Sequence, residues 1–278
     1  MAIDTVRVLA GYSQVGAEAL AQESIIRNIS FNDGTLPQGA VSAKVFVHGL
    51  STIQTYVPGT GVTPTTDGSD YVTVSNLKDE AINEMFDGLS VEAAYASGDY
   101  VAKRYDAAIK ARAEKDDTIG FTKMVADGTE LVAAAGAKPT ASTIYASILA
   151  IKAALDTAKA PRSGRYLLVN SEMENLMLSP DAKVILAEPG SKMQQVEGAV
   201  GRLLGFNIFS SVLVPSGTNM IGGHASAFYF KDIFRQEARI VSLDGSEKHV
   251  GDSALKQRLA SISGAVRPTL IQINNGAA

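Results

Sequence analysis

Arg165-Tyr166-Leu167-Leu168-Val169-Asn170 is the stretch on which the fold turns. Its apolar residues run together without alternation, which predicts a short strand buried on both faces. Ser171 and Glu174 follow at capping-box spacing and predict a helix through Leu178, with Ser179-Pro180 opening the next turn. Upstream, residues 141–158 place Ile144, Ile148, Ile151 and Leu155 on one helical face, and Pro161 stops that helix. Downstream, residues 205–215 read as a strand that runs out into a loop at Val214-Pro215. Residues 227–230 and 239–243 are further strand candidates. Residues 261–274 close the chain with Ile262, Ala265, Val266, Leu270, Ile271 and Ile273.

Working towards the N-terminus, Ser90 opens the clearest helix. Val91, Ala94, Tyr95, Gly98, Val101, Ala102, Tyr105, Ala108, Ile109 and Arg112 share one stripe, and Asp99/Lys103 and Asp106/Lys110 pair on the other side. At about 25 residues it would reach almost 40 Å, long enough for a spine. Residues 76–86 are ambiguous: Leu77, Ala81, Ile82, Met85 and Phe86 fit a helical stripe capped by Asn76 with Asp79, while Ile82, Glu84 and Phe86 alternate as a strand does. The residues alone leave both readings open, and the preference for strand comes from the resemblance described below. Residues 41–74 are rich in Val and Thr, and a breaker-rich tip separates Val57 from Asp70, which predicts two extended arms with too little apolar content for a core. Such a hairpin must pack on another surface or project. Residues 1–39 read as weakly ordered, with one helical candidate at 17–26. That leader either docks on something else, such as a neighbouring copy, or frays.

The whole chain has a globular composition: 278 residues, 46% hydrophobic and 19% charged. No apolar run approaches the roughly 20 residues of a membrane span, and the first residues lack the pattern of a signal peptide. The absence of cysteine excludes disulfides, thiolate metal sites and a cysteine nucleophile. A formal charge of −4 with no basic stripe argues against sequence-specific nucleic-acid binding, and leaves passive enclosure open. The longest charge cluster, residues 113–117, reads as a solvated helix end.

Chemistry-bearing patterns are thin. His48, His224 and His249 have neither the spacing nor the carboxylates of a zinc site. Ser75-Asn76-Leu77-Lys78 matches the Ser-x-x-Lys pattern of some hydrolases, without the companion motifs. Gly198, Gly201 and Gly205 meet neither nucleotide fingerprint and read as tight packing before a strand. No catalytic, cofactor-binding or metal residue is assigned.

The order of these elements resembles the major capsid proteins of tailed bacteriophages, the Hong Kong 97-type fold. The residues that carry the resemblance are 165–170, the short helix after them, Gly201-Arg202-Leu203-Leu204-Gly205-Phe206-Asn207-Ile208-Phe209-Ser210-Ser211, Val214-Pro215, and Ala227-Phe228-Tyr229-Phe230 with Lys231-Asp232. The helix with Tyr105-Asp106 is similar to the family's spine helix. The resemblance implies an α+β fold with an N-terminal arm (1–40), an extended β-hairpin loop (41–88), a peripheral domain with the spine helix (89–161), an axial domain (162–240) and return strands to the peripheral domain (241–278).

It further implies a non-enzymatic shell subunit that self-assembles into hexamers and pentamers, forming an icosahedral head around double-stranded DNA. The virion would be its location, after assembly in the host cytoplasm. Scaffolding, portal and decoration proteins would be the further partners, with no membrane and no cofactor. Tyr56, Val57, Pro58, Gly59, Thr60, Gly61, Phe86 and Asp87 are the subunit-interface candidates, because the resemblance lays this loop over a neighbouring copy. Two departures from the namesake phage stand out. No lysine lies between Lys44 and Lys78, so the loop tip cannot supply a covalent cross-link. The leader is also too short for a fused scaffolding domain, so a separate scaffolding protein or none is expected. A bacterial nanocompartment shell, a Ser75/Lys78 hydrolase and a tail-tube subunit are the alternatives. The two long helices weigh against the tube.

Overall fold

The computed structural model describes residues 24–49, 51–66, 68–86, 100–131, 138–179, 201–243 and 252–276. Three features of the sequence reading, Gly98, Gly198 and His249, lie outside the described residues, as do most of the helical candidate at 17–26 and the first turns of the expected spine helix.

The strand β5 (Arg165–Val169) is buried along its whole length. It lies between two neighbours of a six-stranded sheet, parallel to β7 (Phe206–Ser210) and antiparallel to β8 (Met220–His224). The sheet is completed by β6 (Gly201–Leu203) beside β7, by β11 (Ile271–Asn274) beside β8, and by β4 (Thr129–Glu130) at the far edge. Helix α3 (Ile144–Thr157) covers it with Ile144, Ile148, Ile151 and Leu155, all fully buried as the spacing predicts. Its C-terminal end is closed by Arg165, whose guanidinium donates to the carbonyls of Ala160 and Pro161 and pairs with Asp156 at 2.7 Å.

Helix α4 (Ser171–Met177) departs from the expected capping box. Asn170, still extended at the end of β5, is the N-cap, and its side chain accepts the Met173 N–H at 2.8 Å. Glu174 is thereby free to bond the Ser210 hydroxyl on β7. Gly205 also departs from expectation. A Cβ there would touch nothing, so packing is not its role. With Leu204 at φ 52° and Gly205 at φ 89°, both residues of the β6–β7 turn are left-handed, as a two-residue hairpin of type I′ requires.

A second sheet has three strands in the order β3 (Asn76–Phe86), β10 (Ser253–Ala265), β9 (Phe228–Ser242). The ambiguous segment is therefore a strand, with its full length of 11 residues laddered antiparallel on β10. The two strand candidates at 227–230 and 239–243 are the ends of one 15-residue strand, β9. Its polar middle fooled the periodicity because Lys231, Asp232 and Arg235 are held by partners elsewhere in the chain. The closing segment is divided by a 3-10 turn at Pro268–Leu270, so β10 and β11 serve different sheets.

Helix α2 (Tyr100–Asp127) crosses both sheets. Its 28 residues span about 42 Å. Tyr105, Ile109 and Ala113 pack with Leu255 of the three-stranded sheet, while Phe121 and Met124 join the main core over the six-stranded one. The Asp127 carboxylate then accepts the Ala265 N–H and fastens the helix end to β10.

The charge run at 113–117 is not a helix end. It is the middle of α2, and Asp116 and Asp117 are 0% and 4% exposed. Both face α1 (Ile25–Ile29), which docks on its own chain. Asp117 caps that helix from outside its own sequence, accepting the Ser24 hydroxyl and the N–H groups of Ile25 and Ile26 at 2.7, 3.1 and 2.9 Å. Ile26 and Ile29 enter the main core. Gly120 leaves the notch for Ile26: a Cβ there would lie 2.4 Å from the Ile26 Cγ1. Beyond α1, Phe31 pairs with β9 through hydrogen bonds to Phe228 and Phe230, and Arg235 donates to the carbonyls of Gln38 and Ala40. Residues 24–40 are thus strapped down within one chain, where the sequence suggested a weakly ordered leader.

Candidate subunit-interface surfaces

The hairpin expected from the Val- and Thr-rich stretch is present. β1 (Ala43–Val47) pairs antiparallel with β2 (Asp70–Val74), from Ala43↔Val74 to Val47↔Asp70. The period of two splits it into unlike faces. Ala43 and Val74 are buried with Tyr229, Ile233 and Ile262, and Val45, Val47 and Val72 are half-buried over the same cluster. The root therefore packs on the chain's own three-stranded sheet. The opposite face carries Lys44, Phe46, His48, Tyr71 and Thr73. Phe46 and Tyr71 remain 43% and 62% exposed, with ring centroids 5.0 Å apart, and His48 meets the Phe46 ring edge-on at 4.8 Å.

The ladder is short, so the tip is longer than the breakers at 58–69 suggested. Tyr56, Val57, Pro58, Gly59, Thr60 and Gly61 form one exposed turn, in which the Val57 carbonyl accepts the N–H groups of Thr60 and Gly61 at 3.2 and 3.0 Å. Tyr56 and Val57 are exposed, with Ile53 and Val62 beside them in sequence. Phe86 is not brought to this group: it ends β3, opposite Ser253, in the other sheet. Asp87 lies outside the described residues. The Phe46/Tyr71 face escaped the sequence reading, which counted β-branched residues. The signal was the alternation Val45-Phe46-Val47-His48, which puts Phe46 and His48 opposite the valines.

Nothing described assembles a reaction centre. Ser75 and Lys78 sit at the start of an extended strand, so their Cα atoms are separated by roughly 10 Å instead of sharing a helical face. His224 is held between the Ser163 carbonyl and the Ser226 hydroxyl, each at 2.8 Å. Burial holds its imidazole below the ordinary histidine range. Among the described residues no group of three His, Asp or Glu side chains is placed to hold a metal ion, and no helix is long and apolar enough to cross a membrane.

The fold has solved counterparts. It is similar to a chain of Mycobacterium phage Che8 at 18% identity, covering 90% of both chains with a TM-score of 0.65. It is also similar to the mature capsid of bacteriophage PhiM1 at 14% identity, covering 90% of this chain and 86% of that one with a TM-score of 0.63. A virus-like particle from Pyrococcus furiosus matches at 9% identity over 96% of this chain and 98% of that one, with a TM-score of 0.56. No curated protein matches the chain. A family model described as phage capsid protein matches residues 71–258, well over half of the sequence. The chain belongs to the phage capsid protein family and has the α+β, Hong Kong 97-type fold of tailed-phage major capsid proteins.

Proposed function

We propose that this chain is the repeating subunit of an icosahedral head, assembling into hexamers and pentamers that enclose double-stranded DNA without reading its sequence. The observation that carries this is the divided hairpin. One face is packed on its own chain, the other presents Phe46 and Tyr71 to solvent, and Ile53, Tyr56, Val57 and Val62 are exposed along the tip. Exposed aromatic clusters on a rigid element are what interfaces are built from. The natural cover in a shell is the next copy, in a head-to-tail contact that closes into rings. Tyr56, Val57, Pro58, Gly59, Thr60 and Gly61 belong to that contact, and Phe86, at the far end of β3, belongs to a separate one together with Asp87, the next residue in sequence.

The six-stranded sheet with α3 is assigned to the axial domain, and α2 with the three-stranded sheet to the peripheral domain. That division follows the sheets: it moves 129–130, 144–157 and 271–274 to the axial side of the sequence-based boundaries, and 76–86 and 228–240 to the peripheral side. The contacts are non-covalent, since no lysine lies in the loop between Lys44 and Lys78. The subunit has no enzymatic role or cofactor, works in the virion after assembly in the host cytoplasm, and meets scaffolding, portal or decoration proteins there. A nanocompartment shell is the second reading, because the fold is also shared end to end with a virus-like particle from Pyrococcus furiosus, a source that is not a phage. Negative-stain imaging of the purified chain tests the proposal: rings of five or six copies, or closed shells, support it. Tubes oppose it, and lone monomers at every concentration place assembly under a separate scaffolding protein. DNA inside the particles separates the head from the compartment.

A further inference from the structure

Beneath residues 24–31 lies a cluster of charge that no surface explains. Arg27 on α1 meets Asp116 at 3.2 Å and also Asp232 on β9. Arg112 on α2 meets Asp116 at 2.8 Å, Glu80 on β3 at 3.2 Å and Asp232 at 3.9 Å. Lys115 reaches Glu80 at 3.7 Å from the rim. Asp117 adjoins them and is occupied with the N-terminus of α1. Three cations (Arg27, Arg112, Lys115) thus face four carboxylates (Glu80, Asp116, Asp117, Asp232) drawn from α1, α2, β3 and β9. Pairing is incomplete. The Arg27 Nε, Arg112 Nε and Asp232 Oδ1 are buried without a hydrogen-bond partner among the described residues, and the close Arg112–Asp116 contact lies off hydrogen-bond direction.

We propose that this cluster is a proton-linked latch: it holds the N-terminal segment on the spine helix most tightly with one proton bound, and loosens its hold as that proton is lost. The surplus carboxylate is the physical basis. A buried charge without a matching counter-charge is costly, and a proton removes it. Asp116 is the best placed to take it, because burial pushes its carboxyl from the ordinary 3.8 up to about 6, against the pull of Arg112 and Arg27. Burial raises Asp117 as well and lowers Arg27.

The direction follows from linkage. A carboxyl whose docked pKa is raised adds stability that is complete below about 3.8 and is lost as pH rises through about 6. Acid therefore tightens the strap, the reverse of the usual salt bridge. The full shift corresponds to a ceiling of about a hundredfold in the docked-to-free ratio, and part of the burial under Arg112 survives undocking, so roughly tenfold is expected.

Hydrogen exchange on the full chain, with intrinsic rates divided out, tests this at about pH 5 and about pH 7.5. Protection of residues 24–31, taken relative to Ile144–Thr157, should be roughly fivefold higher at the lower pH, because pH 5 lies within the titration and develops about half of the tenfold effect. Asp116→Asn should keep the high value at both. Equal protection at the two pH values, or lower protection in acid, overturns the latch. The pH series on the unmodified chain decides even if the variant fails to fold.

Discussion

Gly120→Ala sets two effects of known size against each other. In an isolated helix the change would stabilise by about 1 kcal/mol, because alanine is the better helix former. Here the new Cβ would stand 2.4 Å from Cγ1 and 2.7 Å from Cδ1 of Ile26, where carbon atoms rest at about 3.5–4.0 Å. Ile26 is fully buried, and its own N–H is tied to Asp117 at 2.9 Å, so α1 cannot slide away without losing its cap. Overpacking of this kind costs about 1–3 kcal/mol, which leaves a net loss of up to about 2 kcal/mol. Ile26→Ala alone should cost about 2–5 kcal/mol. In that background the clashing atoms are gone, and Gly120→Ala should turn stabilising by about 1 kcal/mol. The change of sign is the signature, and the cycle should show a coupling of about 1–3 kcal/mol, the overpacking cost itself. Urea unfolding of the unassembled chain, fitted for all four combinations, measures it. A Gly120→Ala effect of the same sign and size in both backgrounds would refute the notch.

Three shorter expectations accompany it. Asn170→Ala removes the α4 cap and its bond to the Thr218 carbonyl, and should cost about 1–2 kcal/mol by chemical denaturation. Gly205→Ala forces a side chain into φ 89° and should cost about 1 kcal/mol in the same assay, with no change in helix content by circular dichroism. Phe46→Ala with Tyr71→Ala should leave the unassembled chain within about 1 kcal/mol of the parent, since both rings are exposed. If they anchor a neighbour, the double change should raise the assembly threshold tenfold or more, at about 2 kcal/mol or more per contact, by light scattering.

What could be read from the sequence was whatever a local period determines. Ile144, Ile148, Ile151 and Leu155 repeat at helical spacing and are all buried. Residues 165–169 run apolar and become a central strand. The stripe through Tyr105, Ala108, Ile109 and Arg112 is buried too. Long-range partners were not legible. Asp116 and Asp117 look like solvated charge until Ser24 and Arg27, some ninety residues earlier, are brought against them. Had the stripe been continued, Arg112 to Asp116 at i, i+4 followed by Gly120 would have pointed the same way. The polar middle of β9 hid a strand for the same reason, since Arg235 and Lys231 find their partners in residues 32–40. At the hairpin the tip was found from its breakers, while Phe46 and Tyr71 become a face only once the register Phe46↔Tyr71 is known.

On the proposed function, the outer face of the hairpin is completed by another copy. A cryo-electron-microscopy reconstruction of particles assembled from this chain tests it most directly. The expected result is a closed shell of fivefold and sixfold rings in which Phe46 and Tyr71 lie within contact distance of a neighbouring subunit. A tube, an open sheet, or a closed shell with both rings still facing solvent would contradict it.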